Sequence, residues 1–303
     1  MTPRHLALVG TTASGKSALA LQVARAHPDI ELVSVDSMQV YRGMDIGTAK
    51  PTPAERSEVP HHLIDIADPD EDFTVARFQL AAGAAIVDIE ARGRRALLVG
   101  GTGLYLRAIV DGLSIPGRYP EVVEQLGGTA TTDLHERLLD LDPVAAARME
   151  PGNRRRILRA LEVTVGSGRP FSSYGPGLEA YPPTRFRLVG VRLPVDIVSA
   201  RIAARYDAQL ASGFLEEVRG LAARRPGLSR SAGQALGYRE LLAHVRGACD
   251  LDEAIDEAVR RTRQFARRQR AWFRRDPRIE WLTADEDPTT VLPSLLTIAA
   301  GQN

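Results

Sequence analysis

Gly10-Thr11-Thr12-Ala13-Ser14-Gly15-Lys16-Ser17 spells G-x-x-x-x-G-K-S, directly after the apolar run Leu6-Ala7-Leu8-Val9. An apolar helical stretch with Leu19, Leu21, Val23 and Ala24 follows it. A strand that turns through such an octad into a helix makes a phosphate-binding P-loop. The glycines let the backbone turn tightly and aim its N–H groups inward. Lys16 adds a point charge, and Ser17 offers a hydroxyl to a Mg²⁺ that bridges linked phosphates. The motif specifies phosphates without specifying ATP.

Asp36 ends the next apolar run, Glu31-Leu32-Val33-Ser34-Val35. Besides capping a turn, a carboxylate at that sheet edge has two chemical uses. It can hold the metal as a Walker-B-type residue, or take a proton from a substrate bound beside the phosphates. The runs at 95–99 and 186–193 end in no acid, so a nucleoside triphosphatase would need Asp36 for its metal. The segment from Ser37 to Pro51 is too polar and glycine-rich for core and too long for a simple turn, which marks a functional loop. Gly100-Gly101-Thr102-Gly103 sets a second flexible turn beside the P-loop, with the Thr102 hydroxyl facing a substrate oxygen or capping a helix. Arg201 and Arg205, four apart on a predicted helix, share a face; they clamp phosphate if that face meets the ligand edge and are surface charge otherwise. His61 and His62, near Asp65, Asp68 and Asp70, have the residue types of a metal site. Adjacent histidines do not share a helix face, which favours a structural role.

The elements that must position these residues alternate along the first third of the chain. Strands are expected at 5–9, 31–35 and 94–99, with helices to His27, from Val75 to Ala91 and from Leu104 to Val110. This is a doubly wound α/β pattern with a parallel sheet, whose ligands bind beyond the carboxyl ends of the strands. A helical insertion is expected over 115–185, with Leu134, Leu138 and Leu141 at helical spacing and a Gly/Ser/Pro-rich end. A further buried strand follows at 186–191, then helix from Ile197 to Phe273. The expected domains are thus a P-loop core, 1–114 with 186–303, and the inserted helical domain 115–185. The tail after Trp281 shows no pattern.

Composition narrows the class. The chain has 303 residues, 44% hydrophobic and 25% charged, with a net charge of +1. No apolar run approaches the roughly 18 residues of a membrane span. The single Cys249 leaves neither an intrachain disulfide nor a cysteine-rich zinc site. Met1 to His5 leads straight into the first strand, so no signal peptide is expected and the cytoplasm is the expected location. A monomer is expected. Only Lys16 and Lys50 are lysines, against 37 arginines. Eight arginines fall between Arg260 and Arg275 with Phe265, Trp272 and Phe273 among them. That stripe reads equally as a nucleic-acid footprint or as arginine stems covering apolar surface.

In order along the chain, the text resembles the bacterial tRNA dimethylallyltransferases, the isopentenyl-pyrophosphate:tRNA transferase family. The resemblance is carried by the P-loop, by Val35-Asp36-Ser37-Met38-Gln39-Val40-Tyr41, and by Asp45-Ile46-Gly47-Thr48-Ala49-Lys50-Pro51. It continues in Val59-Pro60-His61-His62-Leu63-Ile64-Asp65, Gly100 to Tyr105, Arg156 to Val163, Leu236-Gly237-Tyr238-Arg239-Glu240 and Thr262 to Gln269. It implies transfer of a dimethylallyl group from its pyrophosphate to the exocyclic amine of the adenine 3′ of the anticodon, in tRNAs reading codons that start with U. The P-loop, Arg205 and Mg²⁺ would then hold the pyrophosphate of dimethylallyl pyrophosphate. Asp36 would be the general base and Thr102 would stand at the reacting centre. The anticodon stem-loop would meet Asp36, Ser37, Met38, Gln39 and Thr102. It would also meet Arg155, Arg156, Ile157, Leu158 and Arg159, and Gln234, Gly237, Tyr238 and Arg239. The family commonly has an arginine where Val123 stands here, a departure for which Arg118 is the candidate substitute. The contrasting reading is a small-molecule kinase using ATP through the same P-loop.

Overall fold

In the computed structural model residues 4–301 are described. Met1–Pro3, which the sequence leads straight into the first strand, and Gln302–Asn303 lie outside them. The apolar runs form one parallel sheet. Its strands are β1 (His5–Gly10), β2 (Ile30–Val35), β3 (His61–His62), β4 (Arg95–Gly100), β5 (Phe186–Arg192) and β6 (Glu280–Thr283), in the order β3-β2-β4-β1-β5-β6. Every residue of β1 and β2 is buried, as strands covered on both faces require.

Register decides where the chemistry gathers. Val9 of β1 pairs with Gly100 of β4, and Gly100 pairs with Val35 of β2. Three adjacent strands therefore end level. The P-loop, the Gly-Gly-Thr-Gly turn and Asp36 leave them side by side at one edge, where ligands of such sheets bind.

The helices in chain order are α1 (Lys16–Ala26), α2 (Pro53–Glu58), α3 (Val75–Ala91) and α4 (Gly103–Val110), then α5 (Pro120–Leu126), α6 (Thr131–Leu141), α7 (Pro143–Ala146) and α8 (Arg154–Ser167). After β5 come α9 (Val195–Ala211), α10 (Phe214–Ala222), α11 (Tyr238–Val245), α12 (Leu251–Phe273) and α13 (Leu292–Ala299). The 23-residue α12 opens on a capping box between Asp250 and Glu253 and packs against β1, α4, α9 and α11. Its buried stripe is Ala254, Ala258, Thr262, Ala266, Gln269 and Phe273, at the spacing of one helix face.

The chain divides into two compact units, Met1–Val110 with Pro183–Asn303, and Asp111–Pro182. The sequence places these boundaries a few residues later, at 115 and 185. The second unit contains α5 to α8 around its own core of Val122, Leu126, Leu134, Leu138, Ala146, Ile157, Ala160 and Leu161. Four elements have no counterpart in the sequence reading, the first being the short helix α2. β3 is two residues long, β6 spans Trp281, where the pattern fades, and α13 follows it. No helix of the described residues is long and apolar enough to cross a membrane.

Candidate active site

The P-loop bends between β1 and α1 with Gly15 at φ 83° as the helix N-cap, a left-handed conformation that glycine adopts without steric cost. Ala13 also stands at φ 60°, strain of the sort stored at functional turns. Ser14 N–H donates to Thr11 O at 3.3 Å, and Lys16 Nζ donates to the same carbonyl at 3.1 Å.

Both arginines that share a face on α9 reach this loop. Arg201 Nε donates to Ala13 O at 2.9 Å, and Arg205 donates to the Thr12 hydroxyl at 2.8 Å. Two buried polar atoms here, Ser14 Oγ and Arg205 Nε, have no partner within the protein. Buried polar atoms are nearly always paired, so these two suit an oxygen-rich anion, Arg205 as donor and Ser14 as a rotatable hydroxyl. Burial, and secondarily the charge of Arg205, lower the Lys16 ammonium to about 8, against the opposing pull of Asp36. Burial also lowers Arg205, again opposed by Asp36. Two cations and one carboxylate thus stand within electrostatic reach of one another.

Asp36 is held by its own loop. Its Oδ1 accepts from Met38 N–H at 2.8 Å and from Gln39 N–H at 3.4 Å. Thr102 N–H donates to Val35 O at 3.4 Å, and Ser37 N–H donates to the Thr102 hydroxyl at 3.4 Å. The Asp36 and Thr102 turns are therefore stitched together beside the P-loop.

The long loop after Asp36 is braced from four directions. Gln39 accepts from Ser34 Oγ at 2.7 Å and donates to Thr48 O and Ala49 O at 3.1 and 3.2 Å. Lys50 Nζ donates to Tyr41 O, Asp45 and Asp65 at 2.5, 2.6 and 2.5 Å. Glu217 of α10 accepts from the backbone N–H groups of Asp45 and Ile46, both at 2.8 Å, and from the Tyr238 hydroxyl at 2.6 Å. Gln209 of α9 donates to Ile46 O at 2.6 Å. Lys50, Gln209 and Glu217 were not singled out as site residues from sequence. The signal for Lys50 was its being one of only two lysines. The two histidines take local partners: His61 bonds Val59 O at 2.7 Å and His62 bonds the buried Glu31 at 2.6 Å.

The residues that the family resemblance assigns to RNA divide by exposure. Ser37, Met38 and Gln39 lie in the Asp36 loop, half-buried, and Gln234, Arg239, Arg155 and Arg156 are exposed. Arg239 donates to Gln234 at 3.1 Å. Gly237 is buried as the N-cap of α11. Two assignments need correction as side-chain contacts. Tyr238 and Ile157 are fully buried, Tyr238 against Phe214 and Ile157 in the core of the second unit, so each supports its neighbours by packing. Leu158 packs partly on that same core. Arg159 is held within its unit by Pro116 O at 2.9 Å and Glu162 at 2.8 Å.

Six of the eight arginines of the stripe fall into two groups. Arg260 and Arg261 pair with Glu257 and Glu240. Arg263, Arg267, Arg270 and Arg274 line a cleft of about 220 Å³ with Val198 of α9 and Thr11 of the P-loop.

Comparison with known proteins is consistent with this geometry. A family model described as IPP transferase matches residues 39–276, and one described as Isopentenyl transferase matches residues 3–65. A tRNA dimethylallyltransferase from Roseiflexus castenholzii is 50% identical over 292 residues, covering 92% of each chain. Among solved structures, the tRNA isopentenylpyrophosphate transferase of Bacillus halodurans superposes with a TM-score of 0.73 at 36% identity, over 99% of this chain and 96% of that one. A eukaryotic dimethylallyltransferase acting on tRNA gives a TM-score of 0.80 at 25% identity, over 99% of this chain and 80% of that one.

Proposed function

The chain belongs to the IPP transferase family and its activity is dimethylallyl transfer to tRNA, and from that premise we propose how its residues carry the reaction. The donor is dimethylallyl pyrophosphate, and the acceptor is the exocyclic amine of the adenine 3′ of the anticodon in tRNAs reading codons that start with U. The observation that carries this reading is the grouping at one sheet edge of the P-loop, Asp36 and Thr102. The kinase reading yields to the family to which the chain belongs.

The pyrophosphate lies on the P-loop amides, with Lys16 and Arg205 against its oxygens. The adenine amine attacks the allylic carbon. A C–N bond forms as the C–O bond breaks, and its electron pair leaves with the pyrophosphate. An adenine amine is a weak nucleophile because its lone pair is shared with the ring. Asp36 takes the amine proton as the bond forms, which keeps positive charge from building on nitrogen. The carboxylate is pre-aimed, because Met38 and Gln39 fix its other oxygen. Thr102 gives its hydroxyl to orient the amine. Charge gathering on the leaving group meets groups already desolvated and placed.

Mg²⁺ fits the residues present. Ser17 is exposed at the start of α1, where the P-loop ends, and its hydroxyl is the hard oxygen donor that such an ion takes. When bound, it supplies positive charge to the leaving pyrophosphate, with Ser17 as its protein ligand.

A target adenine stacked in its loop is out of reach, so the base is turned out at a cost of a few kcal/mol. Arg155 and Arg156 at the exposed start of α8 take RNA phosphates. The enzyme works as a monomer in the cytoplasm. Purified protein is incubated with Mg²⁺, dimethylallyl pyrophosphate and an unmodified anticodon stem-loop, and the RNA is weighed by mass spectrometry. A gain of one dimethylallyl group that vanishes when the adenine is replaced is the expected result. Asp36→Ala abolishes the gain while RNA affinity stays within a few-fold. Full activity in that variant removes Asp36 as the base.

A further inference from the structure

Gln269 of α12 is buried and uses both ends of its amide on the site. Its Oε1 accepts from Thr12 N–H of the P-loop at 2.8 Å, and its Nε2 donates to Gly101 O at 2.9 Å. One side chain thus links the phosphate-binding loop to the turn that carries Thr102. Three residues on, Trp272 lies against the same turn. A Cβ on Gly101 would lie 2.2 Å from Gln269 Nε2, and a Cβ on Gly103 would lie 2.2 Å from the Trp272 ring. The glycines flanking Thr102 are accordingly what lets α12 close on this turn.

We propose that Gln269 is a positioning residue that fixes the separation between the pyrophosphate cradle and the Thr102 turn, with Trp272 as a second contact of α12 on that turn. The inference rests on the reaction proposed above. Gln269 touches neither substrate. It sets the relation between two loops, each of which holds one reactant. Losing the link leaves each reactant bound and misaligns the pair, and a misplacement of about 1 Å costs about a hundredfold in rate.

Gln269→Met keeps the side-chain length and removes both hydrogen bonds. Expected is a fall in kcat of about tenfold to a hundredfold, with both KM values and the affinity for inorganic pyrophosphate within about threefold, read well below the variant's melting midpoint. An unchanged kcat in folded protein, or a loss lying wholly in KM, overturns the proposal. The cycle with Gly101→Ala decides independently, including where Gln269→Met fails to fold. Gly101→Ala alone drives a methyl into the amide. In Gly101→Ala/Gln269→Ala the methyl enters vacated space, so the double variant is no slower than the slower of Gly101→Ala and Gln269→Ala, the non-additivity of two changes breaking one link. Losses that multiply overturn the proposal. A wild-type protein that transfers no dimethylallyl group overturns the reaction itself, and is distinguished from these outcomes by that control.

Discussion

Arg205 donates to the hydroxyl of Thr12 across 2.8 Å, reaching from α9 to the P-loop. The contact joins residues 193 positions apart and leaves Arg205 Nε buried and unpaired. An arginine that is anchored at one nitrogen and unsatisfied at another is preorganised for an anion. Its planar fork suits two oxygens of a pyrophosphate, which a lysine cannot match. Arg205→Lys therefore raises the KM for dimethylallyl pyrophosphate by about tenfold or more, the equivalent of losing one charge-assisted hydrogen bond. Steady-state kinetics at saturating RNA measures it, and an unchanged KM contradicts the assignment.

Lys16 makes the ligand-free site costly. Its ammonium is lowered to about 8, chiefly by burial. Between about 8 and the ordinary lysine value of 10.5 the unfolded chain binds a proton that the native one does not, so this group's contribution to stability rises with pH across that window and is at its most unfavourable below it. Lys16→Met should raise the melting midpoint of the ligand-free protein at pH 7 by about 3–6 °C. The same change removes the stabilisation that inorganic pyrophosphate confers on the wild type. Calorimetry with and without pyrophosphate tests both halves, and a lower midpoint in the ligand-free variant counts against the burial argument.

Lys50 is the other lysine, and its side chain is only 1% exposed between Asp45 and Asp65. Burial pushes the Asp65 carboxyl up, but the hydrogen bonds from Lys50 and Arg56 outweigh it and hold the group below the usual carboxylate range. Lys50→Met leaves Asp45 and Asp65 facing an uncharged side chain, with Arg56 still on Asp65 at 2.6 Å, and removes the loop's brace on Tyr41 O. A loss of about 1–2 kcal/mol in urea unfolding is expected, that of one charge-assisted hydrogen-bonding group between partly exposed carboxylates. The Asp36–Gln39 segment belongs to that loop, so kcat falls as well. A variant as stable as the wild type shows that Lys50 is dispensable.

His5 gives the protein an acid-sensitive point far from the chemistry. It is fully buried, its Nδ1 accepts from Ala96 N–H at 3.0 Å and its Nε2 bonds Glu90 at 2.7 Å. Burial lowers its pKa, outweighing the raising effect of Glu90. A depressed histidine contributes stability in full above the unfolded value, about 6.5, and loses it as pH falls from there through the folded value. Melting midpoints of the wild type should drop between pH 6.5 and 5. In His5→Gln that slope should shrink; an identical slope in both proteins assigns the drop to other groups.

What could be read from sequence was what local pattern encodes. The P-loop, Asp36 and the Gly100–Gly103 turn each sit at the end of an apolar run, and the level register of β1, β4 and β2 then brings them together. The β3 strand could not be read, because two residues hold no periodicity. The roles of Glu217 and Gln269 depend on contacts across 171 and 257 positions, which no window along the chain reveals. Gln269 did leave a trace, a polar residue in an otherwise mostly apolar buried stripe of α12. Tyr238 and Ile157 show the opposite failure. A segment assigned as a whole to RNA includes residues that face the core, and helical period alone separates Arg155 and Arg156 from Ile157.

That separation carries a prediction about RNA binding. Asn153 caps α8 through Arg156 N–H at 3.3 Å, which fixes the helix start. Arg154 turns back to Thr129 O and Gly127 O at 2.5 and 2.6 Å, and Arg159 is spent on Pro116 and Glu162. Arg155 and Arg156 are the exposed pair that remains at this end of the helix. Contacts to phosphate are non-specific and release counterions, so their loss weakens binding uniformly and flattens its salt dependence. Arg155→Ala/Arg156→Ala should weaken stem-loop binding by about tenfold to a hundredfold at low salt and reduce the slope of log K against log salt by about 1–2. Asp36 is untouched, so kcat at saturating RNA should hold. Fluorescence anisotropy over a salt series measures the slope, and an unchanged slope places the RNA backbone elsewhere than on α8.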